Sequence, residues 1–291
     1  MSVSEKNRAM NNNRVLKQTA MILIMLLIMG VLAVVYAILP ARDSVSTETA
    51  AIRSVIDKTG RIIHAGGLVQ TADGGIARYT NSYEALVNLY EHGNRVCEID
   101  IRETGDGILV CAHGDEEFLA DGMNLPKDAT EAEFLAQKLF GSLQPMNVQM
   151  LTQFMRDHED LLVITDIRGD VVEICGKLAR EYPDLRNRFI VQIYHEAEYT
   201  PVKRIGFPHI IYTLYRAEDN ERNLWEIAHF AQRHELVGIT IQYEQFYNWK
   251  NQIAMNHCGT PFMFHTVNDE TEIAQMLAKP FVLGVYTDIT D

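Results

Sequence analysis

Short apolar segments alternate with helical stretches from residue 60 to the carboxyl terminus, and this alternation limits the folds open to the chain. Strands that alternate with helices form a parallel sheet, either a closed barrel or an open doubly wound sheet. Residues 60–291 suit one α/β barrel of ordinary size, and we expect a TIM-type (β/α)8 barrel. The strand candidates are 61–64, 96–102, 108–113, 161–165, 189–193, 210–213, 238–242, 262–266 and 285–287. The helix candidates between them lie near 150–158, 170–181, 221–234, 246–257 and 269–278.

A separate helix is expected through about Glu91, before the second strand. Asn81 with Glu84 three positions later has the spacing of an N-cap and a capping box. We therefore predict that Asn81 has a structural role at the start of this helix.

The apolar stretch over residues 20–39 contains no charged residue. At about 1.5 Å per residue, a helix of this length spans roughly 30 Å, the thickness of a hydrocarbon core. Lysines and arginines predominate before it, which predicts a cytoplasmic amino terminus and an extracytoplasmic remainder. The alternative is a cleaved signal peptide, whose apolar core is usually shorter. We divide the chain into a cytoplasmic amino terminus (1–19), a transmembrane helix (20–40), a tether (41–59) and a barrel domain (60–291).

Two histidines and two acids occur on the first strands. His64 ends the first strand just before two glycines, where the backbone can turn tightly. Glu98 and Asp100 are two residues apart on the next strand, so their side chains share one face. If the strands around Thr104 to Gly107 form a hairpin whose paired numbers sum to about 211, His113 lies opposite Glu98.

Each of these features also has a structural interpretation. A histidine at a strand end often serves only the fold, and a Glu-x-Asp pair is often the polar face of a half-buried strand. Their combination favours a site, because two acids on an inward face are costly unless they are paired or bind a metal.

The ordered motifs resemble the glycerophosphodiester phosphodiesterase family of the phosphatidylinositol phospholipase C-like superfamily. The resemblance covers roughly residues 60–291 and implies a barrel with acid-base histidines and a divalent cation. The matching pieces are His64-x-Gly, Thr80 to Ala85, Glu98-x-Asp100, Thr104-x-Asp-Gly, Val110-x-x-His113, Asp166-Ile-Arg168, Phe262 to Asp269 and Gly284 to Asp288.

The resemblance implies that His64 and His113 are the catalytic residues, leaving open which takes and which gives a proton. It also implies a metal site of Glu98, Asp100 and Asp166. Three carboxylates suit a hard cation such as Ca²⁺ or Mg²⁺. The nucleophile that the family suggests is a neighbouring substrate hydroxyl, with water opening a cyclic phosphate afterwards.

Three positions depart from the family pattern. Ala65 replaces the arginine that should hold the phosphate, so Arg168 becomes the substrate-binding candidate. Gly114 displaces the acid after His113 by one position, which leaves open whether Asp115 substitutes. Asp166 stands where the family usually has the longer glutamate.

Other polar residues near strand ends are candidates for substrate specificity, because barrel enzymes carry their working groups at the carboxyl ends of strands. His265 is the first of these to test, although a histidine, glutamine or tyrosine at a strand end more often has a structural or peripheral role. The others are Gln192, Tyr194 and Tyr212. The segment 115–147 is expected to form either a lid over the site or a packed helical insertion.

The net charge of −13 argues against nucleic acid as a partner, since no basic stripe is present. The four cysteines are Cys97, Cys111, Cys175 and Cys258, and we expect buried free thiols. The expected function is a membrane-anchored, metal-dependent phosphodiesterase for glycerophosphodiesters, lipid head groups or a surface polymer. The alternatives are a phospholipase C-like lyase that releases a cyclic phosphate and a non-catalytic barrel that binds a phosphorylated polymer.

Overall fold

The computed structural model describes residues 3–38, 45–216 and 223–291. The strands are β1 (Arg61–Ile63), β2 (Val69–Gln70), β3 (Ile76–Ala77), β4 (Val96–Glu103), β5 (Leu109–Cys111), β6 (Met146–Asn147), β7 (Leu162–Ile167), β8 (Phe189–Ile193), β9 (His209–Thr213), β10 (Gly238–Gln242), β11 (Phe262–His265) and β12 (Val282–Thr287). The α-helices are α1 (Val3–Ile38), α2 (Thr47–Thr59), α3 (Tyr83–Glu91), α4 (Glu131–Leu135), α5 (Val148–Asp157), α6 (Val171–Glu181), α7 (Tyr199–Ile205), α8 (Leu224–Ala231), α9 (Trp249–Cys258) and α10 (Glu270–Leu277).

Eight parallel strands close into a barrel, which confirms the expected fold class. Their order around the barrel is β1, β12, β11, β10, β9, β8, β7 and β4. Strand β1 completes the circle because it pairs with β12 through Arg61 and Val285 and with β4 through Ile63 and Cys97. The doubly wound alternative is therefore excluded.

Side chains along the barrel strands alternate between an interior and an exterior apolar cluster. On β4, Cys97 and Ile99 belong to the large cluster that also includes helix residues such as Leu178 of α6 and Met276 of α10. Glu98 and Asp100 occupy the opposite face, as the spacing predicted. The two acids therefore point into the barrel.

Helix α2 closes the amino-terminal end of the barrel. Ile52 and Ile56 pack with residues at the starts of the strands, including Ile62 and Val96. Arg53 donates hydrogen bonds to the carbonyl oxygen of Leu236 at 2.7 Å and to that of Val237 at 2.8 Å. A loose tether over 41–59 was expected, but residues 47–59 form this packed helix. Residues 39–44, which include the end of the predicted transmembrane segment and the start of the tether, lie outside the described residues.

Helix α1 contains one segment, Arg14–Leu32, that is long and apolar enough to span a membrane. Its mean hydropathy is 2.2, and none of it is buried in the rest of the protein. A membrane span and a signal sequence both have these properties, so its topology stays a prediction.

The strand after the Thr104 turn is antiparallel to β4, as predicted, but the register differs. Ile101 pairs with Cys111, which is one residue away from the expected partner. Pairing ends at Cys111, so His113 does not lie opposite Glu98 as a strand neighbour. His113 instead begins the segment that follows β5.

The segment 115–147 is a packed insertion with its own apolar core. Phe134, Leu139 and Leu143 are buried together with Leu119. Its last residues form β6, which pairs with β5, so the segment does have a strand partner. All four cysteines are buried thiols, as expected.

Candidate functional site

Strand register brings three carboxylates together at the carboxyl-terminal end of the barrel. Asp100 on β4 is directly paired with Asp166 on the neighbouring β7. Glu98 precedes Asp100 by two residues on β4, so its side chain is on the same inward face. His64 directly follows Ile63, which pairs with Cys97, so His64 comes next to Glu98. The predicted metal-binding carboxylates and the predicted catalytic histidine His64 therefore lie next to each other.

The three carboxylates form a group that can hold a metal ion. One oxygen from each of Glu98, Asp100 and Asp166 lies within 4.8 Å of the others, and all three residues are buried. Glu98 accepts a hydrogen bond from the Ala65 amide through Oε2 at 2.9 Å. Its buried Oε1 has no hydrogen-bond partner among the described residues. Burial and the charges of the two aspartates raise the pKa of Glu98 well above its usual range, which a bound cation would relieve. The donor set therefore fits a hard cation.

Asp100 is positioned by two side chains. Asn81 donates from Nδ2 to Oδ2 of Asp100 at 3.0 Å and accepts from the Asp100 amide at 3.0 Å. Arg168 donates from Nε to Oδ1 at 2.9 Å. Asn81 is therefore part of the site, and its predicted role as N-cap was wrong. Ser82 is the N-cap residue, since its hydroxyl accepts from the Ala85 amide.

Asp166 is surrounded by donors from the next strands. Tyr194 donates its hydroxyl to Oδ1, and Tyr215 donates to Oδ2 at 2.7 Å. Arg216 donates to Oδ1 at 2.9 Å and stacks with its guanidinium carbon 3.9 Å from the Tyr194 ring centroid. Both oxygens of Asp166 are thus already satisfied within the protein.

His64 has a carboxylate partner far away in the sequence. Its Nδ1 lies 3.0 Å from Oδ1 of Asp288, just after β12. Asn268 donates to Oδ2 of the same aspartate at 2.8 Å. Burial would raise the pKa of Asp288, but the hydrogen bonds from His64 and Asn268 outweigh it and hold that pKa below its usual range. The other ring nitrogen, Nε2, lies 3.8 Å from Oε2 of Glu98.

His113 is paired with Asp121 from the insertion. Oδ2 of Asp121 lies 2.7 Å from Nδ1 of His113, although the ring nitrogen is not aligned for a regular hydrogen bond. Asp121 raises the pKa of His113 and outweighs the lowering by burial. Asp115, the family-based candidate for this role, instead accepts hydrogen bonds from the amides of Glu117 and Phe118, each at 2.8 Å.

Tyr79 lies between the two histidines. Its ring centroid is 4.8 Å from that of His64 and 5.6 Å from that of His113. Tyr79 has a φ of 56°, and its neighbours in the site, Asn81 and Ala65, have φ of 49° and 48°. Left-handed backbone is unfavourable for residues with a Cβ and is concentrated at functional sites. The loops around the carboxylates therefore hold three residues in left-handed backbone conformations that are unfavourable for them.

The other strand-end candidates separate into two groups. His265 and Gln192 line a cavity of about 40 Å³ in the barrel centre, together with His64 and Glu98. Burial lowers the pKa of His265 to about 4, so this imidazole is neutral at physiological pH. Tyr212 packs with Phe230 in the outer apolar cluster, away from the carboxylates.

Several solved structures that are similar to this chain are glycerophosphodiester phosphodiesterases. A glycerophosphodiester phosphodiesterase from Agrobacterium tumefaciens has a TM-score of 0.57 at 17% identity, over 79% of this chain and 96% of its own. One from Thermotoga maritima has a TM-score of 0.58 at 16% identity, over 79% and 94% of the two chains. The chain has the glycerophosphodiester phosphodiesterase fold.

A third structure with the glycerophosphodiester phosphodiesterase fold is a phosphodiesterase from Oleispira antarctica in complex with the product sn-glycerol-3-phosphate. Its TM-score is 0.58 at 15% identity, over 78% of this chain and 92% of its own. No protein-family model and no curated protein sequence matches the chain. The resemblance stated from the motifs is therefore confirmed at the level of the fold.

Sequence reasoning missed several residues of the site. Asn81 and Asp288 stand inside motifs that matched the family, but Asn81 had been given only the role of a helix cap and Asp288 none. Tyr79 and Asp121 belong to no motif that could be recognised in the sequence. Their roles depend on contacts with the histidines, which only the folded structure shows. Arg216 lies in the segment after β9, where a basic residue beyond a strand end was the only available indication.

Proposed function

We propose that the chain is a membrane-anchored, metal-dependent phosphodiesterase that hydrolyses glycerophosphodiesters or related diesters of lipid head groups or surface polymers. One observation carries the proposal. Two histidines, each with its own carboxylate partner, flank a single tyrosine next to three buried carboxylates. Acid-base cleavage of a phosphodiester needs a proton acceptor and a proton donor on the two sides of the phosphate.

Glu98, Asp100 and Asp166 would hold Ca²⁺ or Mg²⁺, which prefer carboxylate oxygens. When bound, such an ion supplies positive charge that stabilises the negative charge developing on the phosphate in the transition state. Asn81 orients the Asp100 carboxylate, and the unpartnered Oε1 of Glu98 is a free ligand atom.

His64 is the proposed general base. Its contact with the negatively charged Asp288 favours the tautomer with the proton on Nδ1, which leaves Nε2 free to take the proton of the nucleophile. His113 is the proposed general acid. Asp121 favours its protonated form, and a protonated imidazole can donate to the leaving alkoxide.

Arg168 is the proposed ligand of the scissile phosphate, in place of the arginine that Ala65 lacks. It contacts Asp100 through Nε only, and Nη2 lies 3.8 Å from Asp166. A planar guanidinium can make two parallel hydrogen bonds to phosphate oxygens. Neutral His265 would contact the substrate from the barrel centre.

A hydrolytic outcome is favoured over a lyase outcome. The neighbour from Oleispira antarctica contains sn-glycerol-3-phosphate as its product, and a hydrolase acting on a glycerophosphodiester gives this compound. A lyase would instead release a cyclic phosphate. The helix Arg14–Leu32 supports anchoring with a cytoplasmic amino terminus and an extracytoplasmic barrel.

The test uses the full chain in detergent, treated with chelator and then supplied with Ca²⁺ or Mg²⁺. Release of choline from glycerophosphocholine should depend on the added metal and should be lost in His64→Ala and His113→Ala. The exposed His229 of α8 provides a matched control, since His229→Ala should leave the rate unchanged. Full activity without His64 would contradict the proposal.

A second candidate is a barrel that binds a phosphorylated surface polymer without turnover. Two observations favour it: Ala65 replaces the family arginine, and both Asp166 oxygens already accept hydrogen bonds within the protein. It predicts binding of metal and of glycerol 3-phosphate with no alcohol released from any diester.

A further inference from the structure

A cavity of about 590 Å³ opens beside the reaction centre, on the side of His113 and Arg168. The chain as a whole is acidic, with 39 acidic residues against 26 basic ones. Among the described residues that line this cavity, basic side chains outnumber acidic ones. Four basic side chains line it, Arg102, Lys127, Arg168 and Arg216, with two acidic ones, Asp115 and Glu116.

Arg102 is the most unusual member of this lining. Only 6% of its surface is exposed, and its Nε has no hydrogen-bond partner among the described residues. Its Nη1 donates to the carbonyl oxygens of His113, Phe118 and Leu119, which fixes the guanidinium against the insertion. Arg102 lines the cavity, and a guanidinium that the protein already holds in place can bind an oxyanion with little further loss of side-chain freedom.

Arg216 also lines the cavity. It is fixed by hydrogen bonds to the Ile167 carbonyl at 2.8 Å and to Asp166, and by stacking on Tyr194. Lys127 lies at the exposed rim, where it contacts Glu116 at 2.8 Å. Two arginines fixed by hydrogen bonds and a rim lysine thus line the same cavity as Arg168, the proposed phosphate ligand.

We propose that this cavity binds a second phosphate-like oxyanion carried by the substrate. The inference rests on the proposed function and narrows it: the preferred substrates are glycerophosphodiesters that bear an additional phosphomonoester. Arg168 would hold the scissile phosphate next to the three carboxylates, and Arg102, Arg216 and Lys127 would hold the second phosphate.

The proposal predicts how affinity depends on ligand charge. Calorimetry on the full chain in detergent compares glycerol 3-phosphate with glycerol 1,3-bisphosphate at constant ionic strength. The bisphosphate should bind at least about tenfold more tightly, a difference of about 1.4 kcal/mol. The same preference should appear in kcat/KM for glycerophosphoinositol 4-phosphate over glycerophosphoinositol.

Lys127 and Glu116 form an exposed ion pair at the rim of the cavity, and substitutions of the two should change the bisphosphate preference in opposite directions. Lys127→Gln removes a positive charge and should lower the bisphosphate preference about twofold to threefold. Glu116→Gln removes a negative charge and should raise it by a similar factor. The readout in each variant is the ratio of bisphosphate affinity to glycerol 3-phosphate affinity, so a general change in binding cancels.

Equal binding of the two ligands, or no response to either rim variant, would overturn the second oxyanion site. If diesters are still hydrolysed in that case, the proposed function stands and only the narrower substrate class falls. Absence of binding by both ligands together with absence of hydrolysis would overturn both.

Discussion

The carboxylate of Asp121 lies 2.7 Å from Nδ1 of His113, and the two residues come from different parts of the structure. His113 follows β5, whereas Asp121 belongs to the packed insertion over 115–147. The insertion therefore supplies the carboxylate that contributes most to raising the pKa of His113.

Asp121→Asn should shift the alkaline limb of the activity profile to lower pH. Asp121 raises the pKa of His113, so the proposed general acid stays protonated to higher pH in the unmodified protein. Without the carboxylate, His113 loses its proton earlier, and kcat at neutral pH should fall about tenfold. Rate profiles from pH 5 to 9 measure the shift.

The matched control is Asp115→Asn, which removes an acid close in sequence that contacts only backbone amides. Its alkaline limb should coincide with that of the unmodified protein. A limb that moves in Asp115→Asn and not in Asp121→Asn would reverse the assignment. The ion pair should also add stability at pH below the unfolded pKa of histidine, and this contribution should disappear as pH rises through the folded pKa.

Asn81→Ala should weaken metal binding. The change removes two hydrogen bonds that fix Asp100, and loss of a residue that orients a metal ligand costs about 10- to 100-fold in affinity. Calorimetric titration with Ca²⁺ and Mg²⁺ measures the effect. Ser82→Ala is the control, since it removes the α3 cap at a cost of about 1 kcal/mol in stability and should leave metal affinity intact.

Glu98→Gln should stabilise the metal-free protein and abolish its response to metal. The substitution removes one of three crowded carboxylates and puts an NH2 donor in place of the unpartnered oxygen, a gain of about 1 kcal/mol or more. Thermal unfolding with chelator should show a higher midpoint in the variant. Added Ca²⁺ should raise the midpoint of the unmodified protein only, because a ligand stabilises the state that binds it.

The exposed Glu91 supplies the corresponding control. Glu91→Gln should leave both midpoints where they are. If Glu98→Gln keeps the calcium response, the carboxylate group is not the metal site.

Two amino-terminal truncations should differ in stability. Removal of residues 1–44 should give a folded, soluble barrel, because Ser46 still caps α2 and accepts from the Thr49 amide. Removal of residues 1–59 should cost several kcal/mol, since it exposes the surface that Ile52 and Ile56 cover, at about 1.5–3 kcal/mol for each side chain. Urea unfolding distinguishes the two, and equal stability would mean that α2 contributes nothing.

The sequence predicted the barrel strands well, because strands buried on both faces appear as apolar runs with clear ends. The predicted strands 189–193 and 238–242 coincide with β8 and β10. Helix α7 was missed because it is short and contains Pro201, which the first turn of a helix tolerates. Helix α2 was missed because its apolar residues are few and widely spaced.

Within the site, the sequence predicted the residues that each strand presents but not their partners. Glu98 and Asp100 share a face because of strand periodicity, which is a local property. His64 and Asp288 are 224 residues apart and meet only when β1 pairs with β12 at barrel closure. Asn81 has the sequence of a helix cap, and only the three-dimensional structure places its amide on Asp100.

Helix α2 lies across the end of the barrel where the strands begin, and the carboxylates lie where they end. The polypeptide therefore enters the barrel domain at the end opposite to the carboxylates. With α1 in a bilayer, the end of the barrel that α2 covers is the end nearer the membrane. The end with the carboxylates is then left clear for molecules that arrive from the surrounding solution.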